Sequence, residues 1–297
     1  MVITSIPAVY DANVRKAIVD RVKKETVYDK IFNVKGTTLK TFNDVSFSGT
    51  GIAEDMTDDQ KFNFDVINQD YTNTYTQKKI GLGLAFSEQS QMFDKLNICK
   101  GGIALGRSVR ARIEQDHANI LIKGLLATQT WGDGVALFSA GHKLKRGGTA
   151  SNTHAHADMS ATFLKEVIAL MDAAPDRAGL VDDSREPKFI ILPDEAACQG
   201  VREILKSSLI AGVTDNTINI LRDSLTIIKW KYITPADCFI LTSAKEDHEL
   251  NSFFSKKPDA GLKSYVNNET NAWCWTISVL YQCGCSDWRG TYGVPGA

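Results

Sequence analysis

The chain has 297 residues, 34 basic against 35 acidic side chains, a formal charge of −1 and an apolar share of 43%. Length and apolar share suit one large domain or two intimate ones with a real core, a soluble globular α+β protein. Balanced charge argues against a dedicated nucleic-acid binder, no apolar run is long enough for a bilayer, Met1 to Asp20 lacks a signal-peptide pattern, and six dilute cysteines are no disulfide scaffold. A reducing origin is the default for such cysteine usage.

Up to about Asn33, Val14, Ile18 and Val22 fall at helical spacing and predict a short amphipathic helix. The rest of that stretch reads as an extended arm that orders against a neighbour. Gly36 to Gly83 is rich in Thr, Asn, Asp, Phe and Tyr. Phe62, Phe64 and Val66 alternate with polar residues, and Tyr71 to Thr76 is a strong β-former with few aliphatics. This predicts a long, projecting β-hairpin, polar on both faces and with little core of its own.

A short helix is expected over Glu88 to Leu96, punctuation at Gly101, Gly102 and Gly106, and then a long helix from about Leu105 to Leu126. Val109, Ile113, Ile120 and Leu125 mark its apolar face; Arg107, Arg110, Arg112, Glu114 and Asp116 mark the other. At 1.5 Å per residue it spans roughly 30 Å. Thr130 to Met159 reads as loop. Ser160 caps a helix to about Ala174 with Phe163, Val167, Leu170 and Met171 inward. Phe189 to Leu192 is a short buried strand, and Asp194 caps a helix with Val201, Ile204 and Leu205 inward. Leu225 to Ile233 and Phe239 to Thr242 are further strands. From Trp273 to Tyr281 large apolar residues recur at every second position, the mark of a strand with one buried and one polar face.

Candidate chemistry is sparse. His142, His154, His156 and Asp158 are the one cluster with metal-ligand character, and a metal-assisted hydrolase is the enzymatic alternative they would serve; their spacing is unspecific and solvated or structural histidines are favoured. Cys283 and Cys285 lack a second pair and a reason for a lowered thiol pKa. Cys99, Cys198, Cys238 and Cys274 read as small core residues. Gly81-Leu82-Gly83 and Gly49-Thr50-Gly51 lack the strand, helix and third glycine of a phosphate loop. Ser139 stands three residues before His142 with no matched acid, so it belongs to the loop. No catalytic, cofactor-binding or metal residue is assigned, and no cofactor is expected. A polar hairpin, an arm and a long helix without a catalytic constellation point to contact with copies of the same chain.

Three phrases then carry a resemblance. Trp131-Gly132-Asp133-Gly134-Val135-Ala136-Leu137-Phe138-Ser139-Ala140-Gly141-His142, after a long helix, resembles a segment of tailed-phage major capsid proteins related to the Mu-like major head subunit. Phe189-Ile190-Ile191-Leu192-Pro193 with its following helix, and the closing Asp287-Trp288-Arg289-Gly290-Thr291-Tyr292-Gly293, are similar to later segments in the same order. The resemblance implies the Hong Kong 97-type capsid fold: an N-terminal arm over 1–35, an extended loop over 36–83, a peripheral domain with a spine helix over 84–134, an apical domain over 135–243 and returning peripheral strands over 244–297. It implies hexamers and pentamers in an icosahedral shell around double-stranded DNA held without sequence-specific binding. It further implies a portal, decoration proteins, a virion location after synthesis in the host bacterial cytoplasm, and no membrane. The short stretch before the loop suggests that scaffolding is a separate protein. A tail or decoration protein is the structural alternative. Some relatives form Lys–Asn cross-links; Lys40, Lys61, Lys78 and Lys79 lie in the loop without a warrant for one. Arg107, Arg110 and Arg112 form either an inner basic stripe or, as favoured, pairs with Glu114, Asp116 and neighbours.

Overall fold

The computed structural model describes residues 6–47, 53, 55–58, 61, 62, 64, 69–144, 147–175, 180, 185–207 and 218–296, and every element and count that follows is of those residues. The N-terminal third carries α1 (Ala8–Val22), α2 (Tyr28–Ile31), β1 (Asn33–Gly36), β2 (Thr41–Phe47), β3 (Gln69–Thr76), β4 (Lys78–Phe86) and α3 (Glu88–Phe93). The long α4 (Lys95–Leu125) leads to the short β5 (His142–Lys143) and β6 (Thr149–Ala150). Next come α5 (Ala161–Asp172), β7 (Phe189–Leu192), α6 (Glu195–Lys206), β8 (Thr226–Lys229) and β9 (Phe239–Thr242). The chain closes with β10 (Leu250–Lys256), β11 (Leu262–Asn267), β12 (Ala272–Cys285) and β13 (Thr291–Val294).

The 14-residue β12 organises the larger sheet. One of its edges pairs first with β11 and then with β10, the other with β4, and β1 adds in parallel to β10. Trp273, Trp275, Ile277, Val279 and Tyr281 are buried with Val14 and Ile18 of α1 and Ile98, Leu105, Val109, Ile113 and Leu121 of α4. Full burial of such side chains contributes about 1.5–3 kcal/mol each. Thr276, Ser278 and Gln282, on the opposite face, are half-buried.

The smaller sheet runs β13-β9-β7-β8. Ile191, Ile228 and Ile240 join the larger core, while Ile190, Leu192, Phe239 and Leu241 face a second core with α5 and α6. Burial on both faces explains why these strands read as unbroken apolar runs. Ser160 Oγ accepts from Phe163 N at 3.1 Å, and Asp194 Oδ1 from Ala197 N at 2.8 Å, so both expected helix caps form.

Several expectations need correction. α4 has 31 residues, about 46 Å of helix, because Gly101, Gly102 and Gly106 lie inside it. A Cβ at Gly106 would stand 2.8 Å from Ile18 O and one at Gly102 3.0 Å from Val14 Cγ1, so these glycines admit α1 against α4. The segment before it breaks at Asp94, whose backbone is non-helical, so α3 stops at Phe93. Residues 78–83, read with the hairpin, are in β4, whose backbone is taken by β12. α1 forms as the spacing predicts and packs on α4, but the rest of the arm, expected to order against a neighbour, is tied within the chain where β1 joins β10. β13, read with the returning peripheral strands, pairs with β9 in the smaller sheet. Leu170 is 42% exposed on α5, and the strand expected over 225–233 is confined to β8. Much of Gly49 to Val66, including Gly49, Gly51 and the alternation at 63 and 65–66, lies outside the described residues.

Candidate functional site

The 131–142 and 287–293 phrases, far apart in sequence, fold into one buried polar joint between the two sheets. Asn152, 1% exposed, is its hub. Its Nδ2 donates to Leu137 O at 2.7 Å and reaches Thr291 O at 3.3 Å; its Oδ1 accepts from Ser139 N at 2.9 Å. These backbone partners fix the amide orientation. His142, also 1% exposed, has Nε2 3.0 Å from Asn152 Oδ1 and Nδ1 2.5 Å from Asp133 Oδ2, so both ring nitrogens face oxygen acceptors. The ring stacks on Trp288 at 4.3 Å between centroids, and the Arg289 guanidinium lies 4.9 Å from the centre of the same indole. Arg289 Nη1 donates to Asp287 Oδ2 at 2.6 Å. A Cβ at Gly293 would stand 2.4 Å from the Phe138 ring, so this glycine lets the last strand lie against the first phrase.

The same joint holds the hairpin. In the β2–β3 pair, Phe42 faces Tyr75 and Asp44 faces Asn73. Phe42 and Tyr75 stack at 5.4 Å and both meet Phe253 of β10. Tyr75 Oη is 2.7 Å from Ser286 Oγ, Ser286 Oγ also bonds Asp44, and Asn73 Nδ2 donates to Ser286 O at 3.0 Å. The inner face of the hairpin base is therefore aromatic and tied down, a correction to the expectation of two polar faces. The outer face carries Thr41, Asn43, Thr72, Thr74 and Thr76, all exposed.

On α4 the charged face is mostly engaged. Asp116 pairs with Lys78 at 2.8 Å and Arg112 at 3.2 Å and accepts from the Tyr281 hydroxyl. Burial works to raise the Asp116 carboxyl, but these donors hold it below the ordinary carboxylate value. Glu114 accepts from Val27 N at 2.7 Å and Tyr28 N at 3.4 Å, which caps α2; burial raises its carboxyl. Arg110 donates to Glu25 O at 2.7 Å. The expected pairing holds for Arg112 with Asp116; Glu114 serves a helix end instead. His117, which no sequence motif marks, is fully buried. It stands 2.7 Å from Ile113 O and 2.7 Å from Ser252 Oγ and stacks on Tyr28; burial pushes it down to about 4. Burial likewise lowers His248 to about 4.

The histidine cluster does not assemble. His154 approaches Glu166 at 3.6 Å and Phe163, His156 Nδ1 lies 3.2 Å from Pro295 O, and His142 is inside the joint and not in an exposed loop. Among the described residues no group of three or more His, Cys, Asp or Glu is placed to hold a metal ion. Cys283 and Cys285 are buried, and burial pushes their thiols up, Cys283 to about 12. Cys198, Cys238 and Cys274 are buried and Cys99 is half-buried against the core. Gly81 and Gly83 sit in β4, and Ser139 Oγ accepts from Gly141 N at 3.1 Å. Among the described residues no helix is long and apolar enough to cross a membrane. Asp133 and Asn152 carry no mark of a site in the sequence because their partners are set by the fold; only the density of Gly, Asp and Trp around Asp133 signals the place.

The surface offers apolar side chains on the helices: Val9 at 71% exposed, Met92 at 60% and Phe93 at 86%. These are groups that a second protein surface would cover.

A family model described as phage capsid protein matches residues 70–294. Among solved structures, the capsid of the cyanophage P-SCSP1u is similar with a TM-score of 0.61 at 9% identity, over 92% of this chain and 89% of that one. The virus-like particle of Pyrococcus furiosus gives 0.55 at 11% identity over 95% and 98%, and the bacteriophage JBD30 capsid 0.58 at 10% over 72% and 92%. No curated protein matches the sequence.

Proposed function

The chain belongs to the phage capsid protein family, has the Hong Kong 97-type capsid fold and is a major capsid protein of a phage shell, and on that premise we propose how it builds one. Copies associate as hexamers and pentamers that close into an icosahedral shell enclosing double-stranded DNA. The observation that carries this is the β2–β3 hairpin: fastened at its base by Tyr75, Asn73 and Ser286, it presents an outer row of threonines and Asn43 for a neighbouring copy to cover. Many modest contacts of this kind add up in a closed, symmetric assembly. Val9, Met92 and Phe93 supply apolar area for further contacts between copies.

In this reading the five-stranded sheet with α1 and α4 is the peripheral domain, the four-stranded sheet with α5 and α6 the apical domain, and the hairpin the extended loop, with residues 78–83 reassigned to the periphery. The protein has no enzymatic role and no cofactor. It is made in the bacterial cytoplasm and ends in the virion, with a scaffold, a portal and decoration proteins as partners. Sedimentation and negative-stain microscopy of the expressed chain, alone and with its scaffold, test this. Closed shells are expected; rings or tubes would favour a tail or decoration role, and a strict monomer under every assembly condition would overturn the proposal.

A further inference from the structure

The near-neutral chain concentrates positive charge in one place. A cleft of about 330 Å³ between α1, α4 and the turn after β8 is lined by Arg21, Arg107, Arg110, Lys229 and Lys231, with Glu114 the one carboxylate. That carboxylate is spent on the backbone N–H groups of Val27 and Tyr28, and its burial favours the uncharged form. Lys229 is neutralised by Glu195. Arg110 gives one nitrogen to the neutral Glu25 carbonyl, and the charge that opposes it is that of Glu114, already shared with the Val27 and Tyr28 N–H groups. Among the described residues Arg107 and Lys231 have no ion-pair partner, and the buried Nε of Arg21 has no hydrogen-bond acceptor. The neighbouring cavity, also rich in lysine, is different: there Lys23 pairs with Asp259 at 3.5 Å and Lys30 with Glu25.

We propose that this cleft is a binding site for a phosphate group, supplied by the backbone of nucleic acid. Three guanidinium forks offer planar donor pairs that match phosphate oxygens, and a nucleic-acid backbone brings consecutive phosphates, one negative charge each, where a lone carboxylate from another copy would bring one. The positions are fixed by the fold: the absence of a side chain at Gly106 brings the Arg21 stem to 3.1 Å from a Cβ built there, beside the turn that carries Lys231. Such a site reads no base sequence and its affinity falls with salt. The inference deepens the shell reading only in the source of the phosphate, because a container for DNA is where phosphodiesters abound.

The test is fluorescence anisotropy of a duplex DNA fragment on the unassembled full-length chain across a salt series. The unaltered chain is compared with R107Q/K231Q and with K143Q/K263Q, which makes the same charge change at exposed lysines elsewhere. Removing two phosphate contacts should weaken binding about ten- to hundredfold at 0.1 M salt and lower the salt slope by about 2, with the control nearly unchanged. Binding of inorganic phosphate at millimolar concentration, read by isothermal titration and lost in R107Q/K231Q, without measurable DNA binding, would assign the site to free phosphate and overturn the nucleic-acid source. Equal loss in both variants would reduce the effect to net charge, and unchanged binding in R107Q/K231Q would overturn the site. Sedimentation of the same proteins separates the alternatives. R107Q/K231Q that binds DNA normally but fails to assemble makes the cleft a contact between copies and overturns the proposal. An unaltered chain that never assembles counts against the shell reading and leaves the DNA result to stand by itself.

Discussion

β12 and the β2–β3 hairpin are both antiparallel β-structure, yet they are stabilised in opposite ways. β12 has neighbours on both edges and a row of Trp, Ile, Val and Tyr sealed against α1 and α4. The hairpin has one partner strand and an exposed outer face, and is held chiefly by what lies at its base: the Phe42–Tyr75–Phe253 contacts and the Ser286 network. One element is the frame of the subunit; the other leaves its outer hydrogen-bonding side chains exposed, as the proposed contact with a neighbour requires. A subunit that must be rigid in its body and adaptable at its contacts benefits from that division.

The contrast is open to attack at each end. Trp275 is 1% exposed and its Nε1 donates to Asp11 at 2.9 Å, so Trp275→Ala should cost about 3–5 kcal/mol in urea unfolding of the unassembled chain; a cost below about 1 kcal/mol would deny that β12 is the frame. Asn152→Ala should cost about 3 kcal/mol on the same assay, because it strands a buried carbonyl, a buried N–H and one acceptor of His142 together.

Acid should loosen the frame before the hairpin. His117 and His248 are held near 4, against an ordinary value of 6.5, by burial. Their unfolded forms bind protons more readily, so the stabilisation present above pH 6.5 is lost as pH falls from 6.5 toward 4. The loss should be about 2 kcal/mol per histidine by about pH 5, read as a falling urea midpoint, and a flat profile between about pH 7.5 and 5 would refute it.

At the hairpin base, Tyr75→Phe removes only the hydroxyl bond to Ser286 and should cost about 1 kcal/mol, with faster amide exchange confined to β2 and β3. On the outer face, Thr74→Ala, which loses a 2.8 Å bond to Asn43, should change stability by less than about 0.5 kcal/mol. Its effect should appear in particle yield by sedimentation, and a variant that loses stability but assembles normally would reverse the roles assigned here.

Residues whose partners are periodic neighbours could be read in the chain. Val14 and Ile18, the Ser160 and Asp194 caps, the strand at Phe189 to Leu192 and the alternation from Trp273 to Tyr281 all express local geometry, and they appear in the fold as the pattern requires. The glycines of α4 misled because a glycine signals a break when only the local chain is weighed. Here Gly102 and Gly106 let α1 pack closely, and the apolar burial along that seam outweighs the helix penalty of about 1 kcal/mol per glycine. His142 misled in the opposite sense: set among glycines and serines it looked solvated, and its burial depends on Trp288, Asp133 and Asn152 arriving from elsewhere.

The sequence by itself determined the α+β class, the helix caps, the buried strands, the absence of a recognisable catalytic motif and, through three ordered phrases, the resemblance to capsid proteins. These rest on periodicity, side-chain chemistry and order along the chain. Only the tertiary structure decided that the first and last of those phrases are two halves of one buried joint, that Asp116 is matched by Lys78 from the far end of β4, and that five cations meet in one cleft of a chain with net charge −1. Net charge sums over the whole chain and carries no position; the fold alone sets which charges stand within reach of each other and which of them find partners.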